Sequence, residues 1–134
     1  PPHDWRRICA TYPELAELNQ KVTSAALARI SERVLRLGKA PAETMIAFVL
    51  FELCLRSSAQ CLYGKEFHIP MTQQQLGDLC GLSAVHICRT LRRLGRNGVL
   101  SVTDHMKVTI HDVDELTRIA DIDIEALQKE IVAA

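Results

Sequence analysis

The apolar positions of this chain first form a long helical stripe. Leu15, Leu18, Val22, Ala26, Ile30, Val34 and Leu37 follow one another at steps of three and four residues, which puts them on one line of an α-helix. Pro13 suits the first helical position, where its missing N–H is not needed. Gly38 is read as the stop, with Arg36 and Lys39 near the negative end of the helix. Glu17, Lys21, Arg29, Glu32, Arg33 and Arg36 occupy the opposite face. The stretch from Glu14 to Leu37 makes about six and a half turns, more than a small domain needs for its own core. A stripe so long and narrow fits pairing with a second copy of the chain; ordinary packing within one chain is the alternative use. Ahead of it, residues 1–12 predict a short helix capped by Asp4 and carrying Trp5, Ile8 and Cys9.

The pattern then changes. From Pro41 to about Ala59, and above all over Met45–Leu55, the chain is apolar nearly all round, with Glu52 inside the run. A membrane span needs about 20 such residues, so this segment is a buried helix that must be covered on every side. It is the expected core, between the long helix and the later elements. Residues 62–66 read as a turn, and Phe67-His68-Ile69 as a short strand ended by Pro70.

Residues 72–95 write two short helices with a tight turn between them. Thr72 and Gln75 form a capping box. Leu76 and Leu79 share a face, and Gly81 supplies a left-handed turn. Ser83 caps the second helix, which Ile87, Leu91 and Leu94 hold to the core; Gly95 and Gly98 are read as its end. What stays outward is Val85, Arg89, Arg92 and Arg96, one stripe, with Arg93 beside it. An arginine-rich helix set at an angle to a capped partner is a helix-turn-helix, its second helix (83–95) suited to the DNA major groove. The arginine fork matches O6 and N7 of guanine, and valine methyls suit a thymine methyl. His86 and Thr90 are placed to reach phosphate or base. Val99–Val102 and Val108–Ile110 then flank a polar tip, Thr103 to Lys107, as a hairpin wing. Helices are predicted from Asp114 through Ala120 and over Ile124–Val132.

Composition sharpens this reading. At 134 residues the chain is one ordinary domain or two very small ones. Its 48% hydrophobic and 24% charged content excludes a disordered tail or a bulk polycation. Only 4% is aromatic, so the core is aliphatic and favours helix on helix. The 16 basic and 16 acidic residues cancel, which taken as a total argues against DNA. The distribution reverses that: residues 72–110 hold five basic residues against Asp78 and Asp104, and residues 111–134 hold two against seven acidic. The acidic end is expected to face away from phosphates. The five cysteines are odd in number, with no C-x-x-C pair, and read as reduced thiols. Cys80, His86 and Cys88 are too few for a zinc site. A thiol sensor would favour Cys88, beside Arg89, over Cys80 on the apolar side of its helix. No acid/base pair, nucleophile or phosphate loop suggests an enzyme.

Two segments, Phe67 to Gly77 (FHIPMTQQQLG) and Gly81 to Leu94 (GLSAVHICRTLRRL), make the chain resemble the C-terminal part of the Crp/Fnr family of bacterial transcription regulators, over about residues 14–120. The resemblance implies a mainly α fold, a long dimerisation helix followed by a winged helix-turn-helix domain with a small β-hairpin wing. Residues 1–39 would be the N-terminal segment and dimerisation helix, and 40–134 the winged-helix DNA-binding domain with C-terminal helices. It implies a cytoplasmic homodimer joined through Leu15, Leu18, Val22, Ala26, Ile30, Val34 and Leu37, on a two-fold DNA operator, with RNA polymerase as a further partner. Arg89 matches a guanine-reading arginine; Val85, His86 and Cys88 complete the base-contact candidates. Thr72, Gln74 and Ser83 match phosphate-touching positions, joined here by Arg92, Arg93, Arg96 and Lys107. Many members carry Glu where Val85 stands, so the half-site should differ. The chain opens Pro1-Pro2 without Met and reads as a fragment or processed form. It holds no cofactor of its own, and an effector would bind an N-terminal β-roll that is absent here. A winged-helix interaction or dimerisation module without DNA binding is the alternative.

Overall fold

The computed structural model describes residues 2–57, 62, 66–103 and 106–132, except the side chains of Glu130 and Val132. Seven helices and three strands are found among them: α1 (Pro2–Thr11), α2 (Pro13–Lys39), α3 (Ala42–Ser57), β1 (Phe67–His68), α4 (Gln73–Cys80), α5 (Ala84–Arg96), β2 (Leu100–Thr103), β3 (Lys107–Ile110), α6 (Val113–Ala120) and α7 (Ile124–Val132). The fold is the expected mainly α winged helix-turn-helix behind a long helix. The predicted turn residues Tyr63, Gly64 and Lys65, the hairpin tip at Asp104 and His105, the continuation of α3 to Ala59, and Cys61 lie outside the described residues.

Three helix ends differ from expectation. Asp4 lies inside the first turn of α1 instead of capping it. Gly38 does not end α2, which runs through Lys39; Ala40 breaks it with extended backbone, φ −75° and ψ 144°. The cause is Pro41, whose ring disfavours the helical region for the residue before it. Gly95 lies within α5, and the chain turns at Asn97 and at Gly98, whose φ is +73°.

The core is α3. Met45 through Phe51, Cys54 and Leu55 are all buried, and the cover comes mainly from α6 and α7, then α4, α5 and β1. The long helix contributes less than expected: α2 reaches α3 through two arginines. Arg33 pairs with Glu52, which is 2% exposed, and Arg36 lies over the Phe48 ring at 4.5 Å. The sheet has the order β1-β3-β2, all antiparallel, so the wing hairpin gains a third, two-residue strand.

The caps and turn of α4–α5 recur later in the chain. Thr72 caps α4, Gly81 turns left-handed after it (φ 67°, ψ 31°) and Ser83 caps α5. Forty residues on, Asp112 caps α6, Asp121 turns left-handed (φ 51°, ψ 56°), and Asp123 accepts hydrogen bonds from the N–H groups of Glu125 and Ala126 at the start of α7. Buried Leu76, Cys80, Ile87 and Leu91 recur as Leu116, Ala120, Leu127 and Ile131. The caps, the left-handed turn and four buried positions thus recur at an interval of forty residues, but Thr117 stands where α4 has Gly77, and α6 and α7 do not pack on each other as α4 and α5 do.

Candidate nucleic-acid interface

The α4–α5 unit is fixed by short-range chemistry. Thr72 Oγ1 accepts from the Gln75 N–H at 3.2 Å, and Gln75 Oε1 accepts from the Thr72 N–H at 2.9 Å. Ser83 Oγ accepts from the His86 N–H at 3.3 Å. Both caps satisfy helix-end donors that otherwise lack partners. The angle between the helices depends on Gly77. A Cβ there would stand 2.5 Å from the Leu82 carbonyl oxygen, so no other residue allows this approach. The signal was a glycine inside a predicted helix, where it is costly without a packing reason.

Anchored by buried Ile87, Leu91 and Leu94, α5 turns Val85, Arg89, Arg92 and Arg96 to solvent. Val85 is 60% exposed. With Ser83 and His86 these side chains line a shallow open groove along the helix. Among the described residues Arg89, Arg92 and Arg96 have no ion pair or hydrogen-bonded side-chain partner, so three guanidinium groups stand free on one face. Cys88, next to Arg89 in sequence, is half-buried.

Other candidates are already engaged. Arg93 Nη2 lies 2.8 Å from Glu43 of α3, and Lys107 Nζ lies 3.1 Å from Glu66. Gln74 Nε2 donates to Asp78 Oδ1 at 3.0 Å. Thr72 and Ser83 spend acceptor capacity on their caps, and each hydroxyl keeps a proton to donate to an anion. Thr90 lines the same groove but is only 2% exposed, at its floor beside the outward arginines. Glu43 and Glu66 were missed in the sequence because their partners are distant along the chain and no periodicity links them.

The cysteines divide. Cys54 is disulfide-bonded, which corrects the reading of reduced thiols throughout. Cys9, Cys80 and Cys88 are free. Burial pushes the Cys80 thiol up to about 11, with Arg33 opposing weakly.

The stripe expected at a dimer interface faces outward. Leu15, Leu18, Val22, Ile30, Val34 and Leu37 are all exposed, and Ala26 is half-buried. The charged face of the second half of α2 turns inward instead, through Arg33 and Arg36.

Residues 45–119 match the model of the Crp-like helix-turn-helix domain. The chain is 32% identical over 108 residues to an anaerobic regulatory protein of Pasteurella multocida, covering 81% of this chain and 39% of that one. It is 28% identical over 108 residues to the fumarate and nitrate reduction regulatory protein of Escherichia coli K12, covering 81% and 43%. The chain therefore spans about two fifths of the length of these curated relatives. The solved structure of FixK2 from Bradyrhizobium japonicum shares the fold, with a TM-score of 0.79 at 19% identity, over 90% of this chain and 59% of that one. No described helix is long and apolar enough to cross a membrane.

Proposed function

The chain belongs to the Crp-like helix-turn-helix family, and we propose that it is a transcription regulator that reads duplex DNA as a homodimer. The observation that carries this reading is the outward stripe of α5, with three arginines unpaired among the described residues, on a doubly capped helix pair. With α5 in the major groove, Arg89 takes a guanine through its fork and Val85 lies against a thymine methyl; His86 and Cys88 flank them. Arg92 and Arg96 meet phosphates directly. Thr72, Gln74 and Ser83 do so at helix N-termini, where N–H groups favour an anion. Arg93 and Lys107 join by exchanging Glu43 and Glu66 for phosphate. Base contacts specify the site and phosphate contacts position the protein.

The homodimer reading is supported by the inverted polarity of α2. Its polar face holds its own domain, and its apolar face is left for a second copy, as in a coiled-coil seam. Residues 1–39 then serve dimerisation and 40–134 serve DNA. The reading assigns the protein to the bacterial cytoplasm, with RNA polymerase as a further partner and no catalytic step of its own.

The test is selection of bound duplexes from a random pool, followed by titration at several salt concentrations. Recovery of a two-fold-symmetric site is expected. The affinity should fall with a slope of about −0.9 per phosphate neutralised on logarithmic axes. Recovery of no sequence and no salt-sensitive binding would overturn the reading in favour of an interaction module.

A further inference from the structure

The end of α2 meets both the turn after α6 and the turn between α4 and α5. Arg36 Nη1 donates to the Ala120 carbonyl at 2.7 Å and Nη2 to the Asp121 carbonyl at 3.0 Å, at the C-terminus of α6. Its Nε donates to Glu32 at 2.9 Å, its plane lies over Phe48, and the side chain is 14% exposed. The next residue, Leu37, reaches the other turn: its Cδ2 lies 3.2 Å from where a Cβ on Gly81 would stand. Gly38 has nothing within 4 Å of a Cβ position, and Ala40 has left the helix. The direction of α2 relative to α5 is therefore held by side chains that bridge this joint as well as by the backbone through it.

We propose that Arg36 is a positioning residue that sets the distance and angle between the two recognition helices of the dimer. A guanidinium suits this role, because its planar fork binds two carbonyl oxygens at once and its charge opposes the negative end of α6. Arg33 and Glu52 form a second tie deeper in the joint, and a single pair there leaves rotation about itself open. The Arg36 fork closes that rotation. The inference rests on the homodimeric reading above.

The experiment uses the whole chain and the two-half-site duplex recovered by selection. It also uses a duplex with one half-site, and a series in which the separation changes by one base pair at a time, about a tenth of a turn each. Arg36→Met keeps the stem over Phe48 and removes the fork. Its half-site affinity and its oligomeric state by ultracentrifugation should match the unmodified chain. If the competent orientation falls to about a tenth of the population, affinity for the native spacing falls about tenfold, and the preference among spacings flattens. Arg36→Lys keeps the charge and should flatten the preference less; it also reads the same effect should the Met variant fail to fold. A spacing preference as sharp as the unmodified chain's in both variants, or an equal loss on one and two half-sites, overturns the proposal. An unmodified chain without spacing preference overturns the homodimeric reading itself, and this is seen before any variant is made.

Discussion

Arg93 and Glu43 face each other across fifty residues of chain: Nε donates to Oε1 at 3.2 Å, and Nη2 lies 2.8 Å from Oε2. One of the basic residues beside the reading stripe is thus neutralised by the first turn of the core helix. Glu43→Ala should free it. Binding to operator and to random duplex should tighten together, and the salt dependence should steepen by about one phosphate. Unchanged binding to both duplexes would show that Arg93 does not approach DNA.

Arg89 and Arg92 differ in what they read. Arg89→Ala should cost about 1–3 kcal/mol on the operator and relax the preference at one base pair of each half-site. Arg92→Ala should weaken specific and random DNA alike. Competition titrations with single-base-pair variants check this, and an equal loss on all sequences for Arg89→Ala would remove its base-reading role.

Ile30 is 58% exposed in one chain and lies mid-stripe on α2. Ile30→Asp should leave the helical circular dichroism of the domain intact, because it touches no core residue. It should shift sedimentation to the monomer and remove binding to two half-sites while sparing one. A variant that still sediments as a dimer would move the interface elsewhere.

Two glycines should answer alanine in opposite ways. Gly77→Ala drives a methyl to 2.5 Å from the Leu82 carbonyl and should lose about 1–3 kcal/mol, as overpacking does. Gly38→Ala enters open space in a helix and should gain about 0.5–1 kcal/mol. Urea denaturation of both variants measures the contrast.

Cys80 keeps its proton in the folded state up to about 11, against 9.0 for an ordinary thiol. The folded chain holds this proton more tightly, so the contribution is complete below pH 9 and is lost as pH rises to about 11. Cys80→Ala should flatten that part of the stability–pH curve. Alkylation of Cys80 should wait for unfolding, since the thiolate is the reactive form; labelling as fast as that of a free thiol would contradict its burial.

Features set by local chemistry were legible in the sequence. The Thr72–Gln75 box, the Ser83 cap, the left-handed Gly81 and the span of α7 all rest on residues within four positions of one another. The helix stops at Gly38 and Gly95 were misread because glycine only permits a turn, whereas Pro41 and the Asn97–Gly98 turn impose one. The engagement of Arg93, Lys107 and Arg36 was not legible, since each partner lies across the fold. The short strand β1 was legible in Phe67-His68-Ile69, but its pairing with β3 forty residues later was not.

The recurring caps and turn have a further meaning. At the positions where α5 exposes Val85 and Arg89, α7 carries Glu125 and Lys129, and its turn is Asp121 to Asp123. Caps, turn handedness and buried positions are shared, yet the acidic copy serves as a buttress that receives Arg36. Net charge changes sign between the two segments, although Lys129 keeps the charge of Arg89. One cap-and-turn pattern therefore serves two ends: α5 turns free guanidinium groups outward, and the end of α6 offers backbone carbonyls to a guanidinium of the same molecule.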